Sequence, residues 1–133
     1  MNIAPILKAF VVTGATMFAL DMVWLGVVAK ALYERQMATL LRPDVKWVPA
    51  LIFYVLYVAA VVVFVVMPAA ERKSLSRALG FGAFFGLTAY ATYDLTSFAL
   101  IRDFPLLIVI VDLAWGMALT TVVSGAGYWA ATR

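Results

Sequence analysis

Four apolar runs dominate the chain, over about residues 6–29, 48–68, 75–101 and 104–130. Each is long enough to cross a bilayer, because a helix needs only ~20 residues to traverse ~30 Å of hydrocarbon. Lipid offers no hydrogen-bond partner to an open strand edge, so even VAAVVVFVV (58–66) is expected to be helical. The expected fold class is all-α: an integral membrane four-transmembrane-helix bundle, one domain over 1–133. Too little chain lies outside the runs to build a soluble domain. Charged residues make up 13% of the sequence, against about 25% in soluble domains. The first run is too long for a signal peptide and lacks a small-residue cleavage site, so it is expected to be a retained span.

The ends of the runs carry their own signals. Pro5, Pro49 and Pro105 stand at first turns, where proline's missing N–H leaves no bond unmade, and Pro68 is expected to close the second run. Ser74 is placed to cap the third. Between the first two runs, KALYERQMATLLRPDVK (30–46) has Tyr33, Met37, Leu40 and Leu41 at helical spacing. It reads as an amphipathic interfacial segment or as an extension of the first helix. Lys8, Arg72, Lys73, Arg77 and Arg133 flank one side of the bundle and Lys30, Arg35, Arg42, Lys46 and Arg102 the other. That balance gives the positive-inside rule little to act on. The dense ERKSLSR cluster (71–77) favours cytoplasmic termini in a multi-pass inner-membrane protein, with dual topology the alternative.

Several chemistries are excluded. The sequence has no cysteine and no histidine, which removes disulfides, thiol nucleophiles and His-based triads and leaves zinc or haem without good ligands. The net charge of +3 fits flanking cations meeting anionic lipid rather than nucleic acid. The GFGAFFG stretch (80–86) lies inside a run, so its glycines read as packing devices and not as a phosphate loop.

What remains to explain is acid. Asp21 lies nine residues before Lys30, Asp94 eight before Arg102, and Asp112 nine after Asp103. At ~1.5 Å per residue all three fall ~12–14 Å below one surface, and Tyr54, eight residues after Lys46, reaches the same level. Each aspartate costs roughly 2.5–3.5 kcal/mol at a helix centre, and somewhat less off-centre. No lysine or arginine lies deep in a run to offset them. They are therefore expected to face the bundle interior, where they must be protonated, hydrogen-bonded, hydrated or bound to a cation. Gly14, Met17, Asp21 and Trp24 share one helical stripe; Gly86, Tyr90, Asp94 and Ser97 another; Asp112, Trp115, Gly116 and Thr120 a third. Gly82 and Gly86 form a small-xxx-small pair that lets helices approach closely. The candidate ligand-binding residues are Asp21, Asp94, Asp112, Tyr54, Trp24, Tyr90, Ser97 and Trp115; a metal, if one binds, would be held by the three aspartates. The alternative is that the aspartates serve only as interhelical hydrogen-bond ties. Asp-x-x-Trp occurs in both LDMVWLG (20–26) and VDLAWGM (111–117), a short echo compatible with an inverted repeat.

The three motifs LDMVWLG, YDLTSFAL followed by RDFP, and VDLAWGM resemble the small bacterial membrane proteins grouped as domain of unknown function 2177, across nearly the whole chain. The resemblance implies a four-span bacterial membrane protein and carries no activity, substrate or catalytic residue with it.

The leading functional expectation is an intramembrane acidic site that binds a proton, a hard cation such as Mg²⁺ or Na⁺, or a polar or cationic ligand. Oxygen ligands suit hard cations better than transition metals, and no other cofactor is expected. By analogy with small multidrug exporters such a protein would act as a homodimer, although their span-one glutamate has no counterpart here. The alternative is a non-catalytic subunit or assembly factor gripping a membrane-protein partner. A lipid-modifying enzyme ranks last, since the sequence offers no activated nucleophile or anion cradle and no catalytic residue is assigned.

Overall fold

The computed structural model describes residues 3–38, 40–41 and 46–133. Among the described residues five helices follow one another: α1 (Ile3–Val28), α2 (Lys30–Gln36), α3 (Trp47–Glu71), α4 (Leu75–Leu100) and α5 (Leu106–Ala131). No strand occurs among the described residues. Residues 42–45 of the expected interfacial segment lie outside the described residues.

Helices α1, α3 and α5 are long and apolar enough to cross a membrane. Helix α4 matches α5 in length, but its Tyr, Thr, Ser and Asp residues make it less apolar. Three of those hydroxyls are satisfied within the helix. Thr88 donates to the Phe84 carbonyl at 2.9 Å, Thr92 to Thr88 at 2.8 Å, and Thr96 to Thr92, the back-bonding that lets threonine face an apolar medium. The outer surface is apolar to a degree no water-soluble bundle of this size sustains: Leu100 is 83% exposed, Phe64 70% and Phe84 66%.

Helix α5 is the hub. Thr13 of α1 lies at Gly127, Lys8 Nζ donates to the Arg133 carbonyl at 3.0 Å, and Asp21 meets Trp115, so α1 and α5 run antiparallel. Helix α4 returns along α5 in a tight hairpin, its turn passing through Asp103 at φ 62, a conformation aspartate tolerates better than most residues. Small residues seat this pair. A Cβ on Gly82 would lie 2.6 Å from Ser124 Oγ, and one on Gly86 would strike the Gly116 carbonyl. Val58, Val61, Val62, Val65 and Val66 of α3 pack with Met17, Leu119 and Val123 in the main core.

Pro68 does not close the second span. Helix α3 continues through it to Glu71. The Val62–Val66 stretch just before it is a π turn, which relieves the conflict between a mid-helix proline and the preceding carbonyls. The helix ends instead at Lys73, at φ 50, with Lys73 N bonded to the Ala70 carbonyl at 3.1 Å and Ser74 N to the Ala69 carbonyl at 3.1 Å. That is a Schellman ending with lysine where glycine is preferred. Ser74 then caps α4, accepting from Arg77 N at 3.2 Å, as the sequence suggested. Lys73→Gly is expected to stabilise the protein by up to ~1 kcal/mol by removing the left-handed penalty; a lower unfolding midpoint in detergent would contradict this.

Candidate functional site

The polar residues of the four long helices converge near the α2 end of the bundle. Asp21 on α1 accepts from Tyr54 Oη of α3 at 2.9 Å on one oxygen and from Trp115 Nε1 of α5 at 3.3 Å on the other. One carboxylate therefore ties three helices. Trp24, one turn beyond Asp21, stacks flat on Trp115, with centroids 4.4 Å apart and planes within 5°. Trp24 begins a π turn (Trp24–Val28) that ends α1, an irregularity found often at functional sites.

The short helix α2 then brings Tyr33 over the site. Its hydroxyl donates to Asp112 and receives Trp24 Nε1 at 3.4 Å. Burial, reinforced by the bond to Asp112, pushes the Tyr33 phenol well above its ordinary pKa, so it remains a donor at any physiological pH. Helix α2 is held there by apolar packing of Leu32, Tyr33 and Met37 against Phe104, Ile108, Val109 and Leu113. The interfacial segment thus docks its apolar face on the bundle end. Tyr33 is the site residue that sequence reasoning missed; its place among the apolar positions of the segment was the available signal, but neither a segment lying on the membrane surface nor an extension of the first helix brings it to the aspartates.

Asp94 on α4 sits behind Asp112. It is fully buried, the register that sets Gly86 at Thr120 and Tyr90 at Gly116 puts it opposite Asp112, and neither of its oxygens has a hydrogen-bond partner among the described residues. Tyr90, one turn earlier, lays its ring over Gly116 and meets Tyr57 edge-on at 6.4 Å. Tyr57 in turn shares a 2.7 Å hydrogen bond with Thr120.

Asp21, Trp24, Tyr33, Tyr54, Tyr90, Asp112 and Trp115 line one cavity of about 590 Å³. Phe18, Met22, Leu51 and Phe53 form its wall between α1 and α3, and these side chains are themselves exposed, so the mouth lies on the apolar flank. Of the expected site residues, Asp94 stands behind the cavity and Ser97 is not among its lining; the Ser97 carbonyl accepts the Ile101 N–H at the end of α4. The three aspartates do not form one cluster. Asp94 and Asp112 are a pair, and the stacked indoles stand between Asp112 and Asp21. Among the described residues no three carboxylate, thiol or imidazole groups come close enough together to hold a metal ion.

The two Asp-x-x-Trp motifs exchange partners across the antiparallel helices. Trp115 of the second bonds Asp21 of the first, while Trp24 of the first reaches Asp112 of the second through Tyr33. A family model for predicted membrane proteins matches residues 6–129, a stretch holding every one of these groups. The chain belongs to the DUF2177 family. No curated protein and no solved structure shows significant similarity to it. In this DUF2177 protein each motif aspartate has a tyrosine donor, Tyr54 for Asp21 and Tyr33 for Asp112. Asp94 breaks the symmetry, since the register of α4 on α5 sets it opposite Asp112.

Proposed function

We propose that this DUF2177 protein is a four-span bacterial inner-membrane protein that binds an amphiphilic organic cation or amine in the cavity between α1 and α3, with both termini cytoplasmic. The observation that carries this reading is the chemistry of the lining. Among the described residues around the cavity, eight are aromatic, two are aspartates, and none is lysine or arginine. Aromatic faces and unpaired carboxylates both attract a cation, and a water-poor setting strengthens the attraction. A hard metal ion wants about six oxygens in a polar shell, which two carboxylates in an aromatic box supply poorly. The volume suits a small molecule. The apolar mouth favours entry from the bilayer, and the intrahelical threonine bonds of α4 support its reading as the fourth span.

Tetraphenylphosphonium is a suitable probe. Its equilibrium binding to purified protein is expected to weaken at least tenfold in Asp21→Asn and in Asp112→Asn, ~1.4 kcal/mol or more each, with both variants still monodisperse. Affinity unchanged by both substitutions would reject the proposal.

A second reading is favoured by one observation: Asp21 accepts bonds from α3 and α5 at once, as a structural tie in a non-catalytic subunit would. On that reading Asp21→Asn lowers the unfolding midpoint and leaves probe binding where it was.

A further inference from the structure

Asp94 poses a problem that the cation site does not solve. It is fully buried, is not part of the cavity between α1 and α3, and both carboxyl oxygens lack a hydrogen-bond partner among the described residues. A carboxylate sealed from water without a donor is among the least tolerable groups in an apolar interior. The groups facing the pair do not neutralise it. Tyr33 comes from α2 and Tyr90 and Tyr93 from α4, and Asp21 of α1 acts on Tyr90 rather than on the pair. None of these is a cation, and from α3 Tyr57 meets Tyr90 edge-on.

The two acids are not equivalent. Asp112 already accepts a hydrogen bond from Tyr33, which suits an anion. Among the described residues Asp94 accepts nothing. A proton on Asp94 resolves the geometry at one stroke: its hydroxyl becomes a donor, its neighbour Asp112 the acceptor, and one orphaned oxygen is satisfied. Two carboxyls in contact cannot both carry charge in a dry site, and one proton between them is the usual solution.

We propose that Asp94 and Asp112 form a one-proton binding site in which Asp94 carries the proton and donates to an anionic Asp112. The pair then presents a single negative charge to the cavity through Asp112, and Asp94 acts as the positioning residue that fixes the Asp112 carboxylate opposite Tyr33. This goes beyond cation binding and does not require it.

Infrared spectroscopy of the protein in lipid nanodiscs tests the assignment. At neutral pH the parent is expected to show the carbonyl stretch of a protonated carboxylic acid, shifted in D₂O. Asp94→Asn should lose that band, whereas Asp112→Asn, whose amide oxygen can still accept from the Asp94 hydroxyl, and Asp21→Asn should keep it. Because asparagine is the isosteric neutral donor, Asp94→Asn should also unfold at a midpoint close to the parent's, whereas Asp94→Ala, which leaves Asp112 without its donor, unfolds earlier. The proposal is overturned if no protonated-acid band exists at neutral pH, or if the band survives Asp94→Asn. It is equally overturned if Asp94→Asn destabilises as much as Asp94→Ala. Failure of tetraphenylphosphonium to bind would count against the cation site alone and leave this band as it was.

Discussion

Gly86→Ala is expected to break the joint between α4 and α5, lowering stability by ~3 kcal/mol or more. A Cβ there would overlap the Gly116 carbonyl and lie 2.8 Å from Thr120 Cβ. The first is backbone and cannot swing aside, so the helices must separate; overpacking of this kind commonly costs 1–3 kcal/mol, and more where backbone must shift. Gly116→Ala should behave alike, because its new methyl would enter the Tyr90 ring and push that ring toward the cavity. Gly26 and Gly80 are internal controls. Nothing lies within 4 Å of a Cβ at either, so alanine should be neutral or stabilising by up to ~1 kcal/mol through helix propensity. Unfolding in graded denaturing detergent would report all four; similar midpoints for Gly86→Ala and Gly80→Ala would refute the packing.

The second large effect is expected at Trp115. Alanine there removes the stack on Trp24, the N–H bond to Asp21 and a contact of the main core, and about 3 kcal/mol of stability should go with them. Probe binding should be lost as well, since one wall of the cavity disappears. Trp115→Phe keeps a smaller ring against Trp24 and removes the bond to Asp21, so it should lose less, about 1–2 kcal/mol. If the two variants were equally stable, the stacked pair would not contribute what its geometry implies.

How much of this was legible in the sequence depends on whether a residue's position is set locally. Helical rise alone put Asp21 and Tyr54 on one level, and the structure joins them by a hydrogen bond. Stripe arithmetic put Asp21 with Trp24, Tyr90 with Asp94 and Asp112 with Trp115, and Gly82 and Gly86 do seat α4 on α5. Depth, however, says nothing about rotation between helices. It could not tell that two indoles would separate Asp21 from Asp112, or that α4 would meet α5 in the register that sets Asp94 opposite Asp112. Tyr33 was legible only in part, for another reason. Its place depends on α2 folding back onto Phe104 and Ile108, contacts some seventy residues away in sequence that no periodicity in 30–46 encodes. Pro68 was misjudged as a terminator because the π turn that accommodates it leaves no sequence signature.

The cation site can be tested in one measurement on a Trp47→Phe, Trp129→Phe background, in which Trp24 and Trp115 are the remaining tryptophans. An alkylpyridinium amphiphile, which quenches indole fluorescence on contact, should quench this pair saturably at low concentration in vesicles, and the quenching should fade when Asp21 and Asp112 are both replaced by asparagine. Quenching that grows linearly with the amphiphile, and is indifferent to the two aspartates, would mean that the indoles meet the cation only as they would meet any lipid.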